Sequence, residues 1–119
     1  MPAIIADTLG KITISDDILA ILAGYLTIEN YGVVGMASQS ASDGLVELLR
    51  RENLKKGVKV FSDGQTVKID LYIIVEYGVS ISAVAENIIN NVTYRLKEIT
   101  GLNVVSVDIH VEGVRVQQT

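Results

Sequence analysis

The tightest constraint on this chain lies between residues 58 and 77. Val67, Ile69, Leu71, Ile73, Val75 and Tyr77 form one apolar row, and Lys68, Asp70, Tyr72, Ile74 and Glu76 stand between them. A period of two is the signature of a β-strand with one buried face. Val58 and Val60 carry the same pattern on the other side of Ser62-Asp63-Gly64-Gln65. Asp-Gly between alternating runs predicts a hairpin, and so an antiparallel pair of strands. One apolar sheet face then needs a covering layer.

The remaining chain supplies that layer. Ser15 is placed to cap a helix whose first turn holds Asp16 and Asp17, and Ile18, Ile21, Leu22, Tyr25, Leu26 and Glu29 follow at helical spacing. Five of these six are apolar, so this row is expected to face the core. Asp43 to Asn53 reads as a second helix with Leu45, Leu48 and Leu49 inward. A third runs from Ser80 to Gly101, with Ile81, Val84, Ala85, Ile88, Ile89, Val92, Leu96 and Ile99 as its stripe. Short strands are expected at Gly10–Ile14 and Val33–Ala37. A last strand places Val105, Val107, Ile109 and Val111 on one face, with a bend or bulge at Gly113. The order β-α-β-α-β-β-α-β predicts an α/β (α+β-like) two-layer sandwich, a mixed sheet with helices on one face.

At 119 residues the chain has the length of one domain, 1–119, with its core at about 9–114. About half the residues are hydrophobic, yet only Phe61 and five tyrosines are aromatic, so the core must be aliphatic. No cysteine is present, which excludes disulfides, thiolate metal sites and a cysteine nucleophile. The first nine residues lack a basic region and a long apolar run, so no secretory signal is read there. The most apolar internal run, Leu71 to Val75, is far below the ~18 residues of a membrane span. A cytoplasmic location without membrane insertion is the expectation, and the net charge of −4 argues against a general polyanion binder.

Catalytic signatures are wanting. The single histidine, His110, falls on the polar row of the last strand with Asp108 and Glu112, without a second nitrogen ligand. Residues two apart on a strand are separated by nearly ~7 Å, so the three make a poor metal site. Glycine-rich phosphate loops and a nucleophile elbow are also missing. The sequence therefore predicts no catalytic residues, no metal and no cofactor, and a half-exposed His110 that contributes little to stability.

Two features suggest binding instead. Arg50, Arg51, Lys55, Lys56 and Lys59 hold half of all the lysine and arginine within ten residues. Such a segment can meet RNA, an anionic lipid surface or an acidic partner, although a solvated helix end is the simpler and favoured explanation. The aromatic platforms used by single-strand binders do not interleave these charges, which argues against nucleic acid. The second feature is Tyr72 and Ile74, two large apolar residues on the outward row of the central strand. They are expected to lie exposed and to carry self-association.

Five segments together resemble the alkaline-shock, or envelope stress response, family of Gram-positive bacteria. They are Gly10-Lys-Ile-Thr-Ile-Ser15, Tyr31-Gly-Val-Val-Gly-Met36, Val67 to Gly78, Ile99-Thr-Gly-Leu102 and Val105 to Val114. The resemblance implies a small non-enzymatic cytoplasmic protein tied to cell-envelope homeostasis. It also implies partners: some members are held by an integral membrane protein, and others are encoded beside a fatty-acid-kinase-like protein. Shock-associated members carry long charged tails, so this chain looks like the short, tail-less branch. The resulting expectation is a scaffold or adaptor, homo-oligomeric, with RNA or anionic lipid binding through residues 50–59 as the alternative.

Overall fold

A computed structural model describes residues 2–38, 48–49 and 51–116, with the side chains of residues 51 and 52 excepted. Strand β1 (Ala3–Ala6) pairs antiparallel with β2 (Lys11–Ile14), and helix α1 (Asp16–Ile28) follows directly. Strand β3 (Val33–Met36) comes next. After it lie a 3-10 segment (Arg51–Gly57), β4 (Val58–Asp63), β5 (Thr66–Glu76), helix α2 (Ile81–Thr100) and β6 (Asn103–Arg115).

Strand β5 is the centre of the main sheet. One of its edges is shared by two short strands in line, β4 along Thr66–Leu71 and β3 along Ile73–Val75, both antiparallel. Its other edge carries β6, parallel, along its full length. The sheet is therefore mixed. Val67, Ile69, Leu71, Ile73 and Val75 are all buried in the core with Val84, Ile88, Val92 and Leu96 of α2 and Leu19, Ala23 and Leu26 of α1. This is the expected two-layer arrangement.

Local signals set the helix ends. Ser15 Oγ accepts from Ile18 N and Ser80 Oγ from Ala83 N, so each helix has a hydroxyl cap. Gly101 closes α2 in the left-handed conformation, its N–H donating to Lys97 O. Gly32 turns the chain from α1 into β3 at φ +88, where a Cβ would fall 2.6 Å from Val84 Cγ2. Only glycine meets both conditions.

Several expectations are corrected. The predicted helix over 43–53 lies partly outside the described residues, but its described part is not α-helical. Leu48 bridges Ala37, and Leu49 N donates to Met36 O, so this pair is tied to a strand edge instead of to a preceding turn. Residues 51–57 then form 3-10 turns broken at Asn53. Strand β1 was unforeseen because four residues after a proline give too short a pattern. It and β2 form a separate two-stranded sheet, and Ile12 is 58 % exposed, not packed. Tyr77 lies past the end of β5 and is 72 % exposed, because Gly78 takes the chain out of the sheet at φ +93. The hairpin turn sits at Gly64-Gln65, with Asp63 paired to Thr66.

Helix α1 differs most. Its buried residues are Leu19, Ala20, Ala23, Gly24, Leu26 and Thr27. Of the expected inward row, Leu26 is buried and Leu22 packs partly against the core, but Ile18, Ile21 and Tyr25 point to solvent. From Ile18 to Ile28 this helix is apolar or small on nearly every side, so periodicity does not choose a face. Close approach does: a Cβ on Gly24 would stand 3.0 Å from Leu54 Cβ, so the small residues take the packed side.

Candidate interaction surfaces

The face of the sheet away from the helices is built from the outward rows of β4, β5 and β6. Register places Lys59, Asp70 and Asp108 in one cross-strand row, Phe61, Lys68 and Ser106 in the next, and Tyr72 beside His110. Tyr72 and His110 stack, with ring centroids 4.5 Å apart and planes 11° from parallel. His110 Nε2 is 4.0 Å from Asp70 Oδ1, beyond hydrogen-bond reach. Lys68 Nζ is 3.8 Å from Asp108 Oδ2 and 6.0 Å from the Phe61 ring centroid. Asp108, His110 and Glu112 do not converge: the first is drawn to Lys68 and the second to Tyr72. Among the described residues, no group of three or more His, Asp or Glu is arranged to hold a metal ion.

Ile74 overturns the expectation of an exposed apolar pair. It lies outside the helix-side core cluster but is 0 % exposed, and Tyr72 is half-buried against His110. Two features close this spot. Ile74 pairs with Gly35 of β3, and Leu48, bridged to Ala37, crowds Gly35: a Cβ on that glycine would stand 2.7 Å from Leu48 Cδ1. The driving force for self-association through Tyr72 and Ile74 is thereby largely removed.

An apolar surface does exist, on α1. Ile18 is 50 % exposed and Tyr25 42 %, and with Ile21 and half-buried Leu22 they form one row at i, i+3, i+4 and i+7. The sequence pattern assigns these residues to the core together with Leu26, and of them Leu26 is buried and Leu22 packs partly against the core. The signal that would have turned Ile18, Ile21 and Tyr25 outward is the neighbouring row of small residues, Ala20, Ala23 and Gly24.

Among the described side chains of the basic segment, Lys55 and Lys56 lie apart from Lys59. Arg50 lies outside the described residues, and of Arg51 only the backbone is described. Lys55 and Lys56 border a shallow cavity of about 270 Å³ between α1, the 3-10 segment and β4, floored by Ala20, Val58 and Val60. Asp16 and Asp17 border it too, and Lys55 Nζ is 3.6 Å from Asp17 Oδ2, so its charges balance. Lys59 alternates to the opposite face of β4, where its ammonium lies 5.9 Å from the Phe61 centroid.

No helix among the described residues is long and apolar enough to cross a membrane. Comparison with known proteins adds a family. The model of the alkaline shock protein 23 family, described as having a cell envelope-related function, matches residues 5–116. Protein YloU of Bacillus subtilis, described as uncharacterized, is 48 % identical over 108 residues, covering 90 % of each chain. Spy1614 of Streptococcus pyogenes, also uncharacterized, is 42 % identical over 90 % of this chain and 89 % of its own. A stress response regulator gls24 homolog from Streptococcus pyogenes is 26 % identical over 92 % of this chain but only 61 % of its own length. No solved structure matches.

Proposed function

This chain belongs to the alkaline shock protein 23 family, of cell envelope-related function, and from that premise we propose that it is a non-enzymatic, oligomeric scaffold or adaptor of the cytoplasm, serving cell-envelope homeostasis by binding other proteins. The observation that carries the reading is the outward row of α1, Ile18, Ile21 and Tyr25, flanked by half-buried Leu22. An amphipathic helix in a small domain turns its large apolar residues inward, whereas α1 buries Leu19 and Leu26 with its small residues and still presents Ile18, Ile21 and Tyr25 to solvent. Three such residues at i, i+3 and i+7 are the pattern by which a helix docks against a partner.

The chemistry of the site supports the same reading. His110, the sole histidine, is held in a stack on Tyr72, and its Nε2 has no hydrogen-bond partner among the described residues. The divided basic residues and their balanced cavity favour RNA or anionic lipid binding less than protein binding. A membrane-anchored protein and a fatty-acid-kinase-like protein are the partners to seek first, and a link to stress response follows from the gls24 likeness.

The test is affinity capture from the native host, with the wild-type chain and Ile18→Asp/Tyr25→Asp compared by mass spectrometry. Envelope-associated proteins retained by the first and lost from the second are expected. Equal capture by both, with an unchanged circular-dichroism spectrum, would remove α1 from the function.

A further inference from the structure

Strand β6 is the longest in the molecule, at 13 residues, and it pairs only with β5. Among the described residues its outer edge meets no strand, and its backbone hydrogen bonds outside the sheet, Tyr77 N to Arg115 O and Asn103 N to Gln65 O, lie at its two ends. A long edge is a template for another strand unless something blunts it. Proline and lysine, the usual devices, are absent from β6. It has two bulges instead: the register against β5 shifts at Val105 and again at Glu112. Bulges bend a strand away from a would-be neighbour. Between them, however, Ser106 to Val111 runs in unbroken register.

We propose that this run pairs antiparallel with the same run of a second copy, about a two-fold axis through Ile109. The inference rests on the oligomeric reading above and names the surface that makes it so. The choice of occupant comes from self-complementarity. With the axis at Ile109, Asp108 of each copy lies opposite His110 of the other, and Val107 opposite Val111. Each copy thus offers a carboxylate to an imidazole on the outward face, while the helix-side row stays apolar across the seam. Moving the axis to Asp108 sets two carboxylates against each other. Moving it to His110 sets Asp108 against Glu112. An axis between two residues would place Ile109 opposite His110, mixing the apolar and polar rows. Of these registers, which centre on the unbroken run, the one at Ile109 alone satisfies both faces. Lys68, 3.8 Å from Asp108, and Asp70, 4.0 Å from His110, add one charge of each sign to the seam without changing that choice. The two bulges then limit the pairing to a short central stretch, which ends the assembly at a dimer.

The chain has no cysteine, so a register-specific cross-link is available. Asp108→Cys and His110→Cys are prepared separately, then oxidised alone and as an equimolar mixture. Opposite positions across an antiparallel pair bring Cβ atoms to ~5 Å, close to disulfide range, while diagonal ones remain at ~7 Å. Linked dimers should form in the mixture in several-fold greater yield than in either variant alone. In parallel, sedimentation equilibrium of cysteine-free protein should show that His110→Asp, which faces Asp108 of the other copy, weakens dimerisation by roughly tenfold or more. Adding Asp108→Lys to it should restore the wild-type affinity. Equal cross-linking in all three oxidations overturns the proposal. A dimer broken by Ile18→Asp/Tyr25→Asp but indifferent to these charges would also overturn it, moving the contact to α1 and leaving the oligomeric reading intact. A wild type monomeric at about 100 µM would overturn both.

Discussion

Tyr72 and His110 are register partners on the two parallel strands of the sheet and stack face to face at 4.5 Å. The stack covers part of the outward face where no helix lies, and it joins the strand that follows α2 to the strand that precedes it. Aromatic pairs of this kind contribute ~0.5–1.5 kcal/mol beyond the area they bury. His110→Ala is therefore expected to lower stability measurably, contrary to what a lone strand histidine suggests. A double-mutant cycle with Tyr72→Ala in urea should return a coupling energy of about 0.5–1.5 kcal/mol. Simple additivity of the two losses would show that the rings touch without stabilising one another.

Two glycines with positive φ should respond differently to alanine. Gly32, at φ +88, has Val84 Cγ2 at 2.6 Å from the new methyl, whereas Gly64, at φ +59, has nothing within 4 Å. Both substitutions incur the left-handed backbone penalty of about 1–2 kcal/mol. Gly32→Ala must in addition displace a buried α2 side chain, and overpacking adds ~1–3 kcal/mol. The midpoint of urea unfolding should thus fall clearly further for Gly32→Ala. Equal shifts would mean that Val84 moves aside freely.

What was legible in the sequence follows from how strongly each pattern constrains its surroundings. The row Val67 to Val75 fixed the buried face of β5, since a one-residue slip would bury Lys68 and Asp70. The centre of the α2 stripe, Val84, Ile88, Val92 and Leu96, was readable because Glu86, Arg95, Lys97 and Glu98 interrupt the outer side, whereas Ile81, Ile89 and Ile99, at its margins, are exposed. Helix α1 has no such interruption between Ile18 and Ile28, so two apolar rows competed and the packing of Gly24 on Leu54 decided. Ile74 was misplaced for another reason. Alternation gives the side of a sheet on which a residue stands, but not what else reaches that side, and here Leu48 crowds Gly35, the β3 residue paired with Ile74. The candidate site was legible as residues but not as a surface.

The capping serines offer a test of how far local signals act alone. Ser80 Oγ accepts from Ala83 N at 3.3 Å, and Ser15 Oγ from Ile18 N at the same distance. Each should be worth ~1 kcal/mol on removal to alanine. The first turn of α1 also contains Asp16 and Asp17, which favour the helix N-terminus independently, while that of α2 holds no acidic residue. Ser80→Ala should accordingly destabilise more than Ser15→Ala. The reverse order in thermal unfolding would show that the caps are set by tertiary contacts.

The outward row of α1 can be separated from its packed row by truncation at adjacent positions. Leu19 is fully buried among the core residues, so Leu19→Ala removes apolar contacts and leaves a cavity, at a cost of ~2–5 kcal/mol. Ile18, one residue earlier, is half exposed, and Ile18→Ala should cost well under ~1 kcal/mol, because alanine's higher helix propensity offsets part of the lost burial. Tyr25→Ala should be similarly mild. On these expectations the stability of the isolated chain does not account for three large apolar residues at positions 18, 21 and 25, in keeping with the docking face proposed above. Chemical denaturation of the four variants Ile18→Ala, Leu19→Ala, Ile21→Ala and Tyr25→Ala settles the matter. If Ile18→Ala or Tyr25→Ala falls as far as Leu19→Ala, the row is stabilising the fold itself and the docking face must be sought elsewhere.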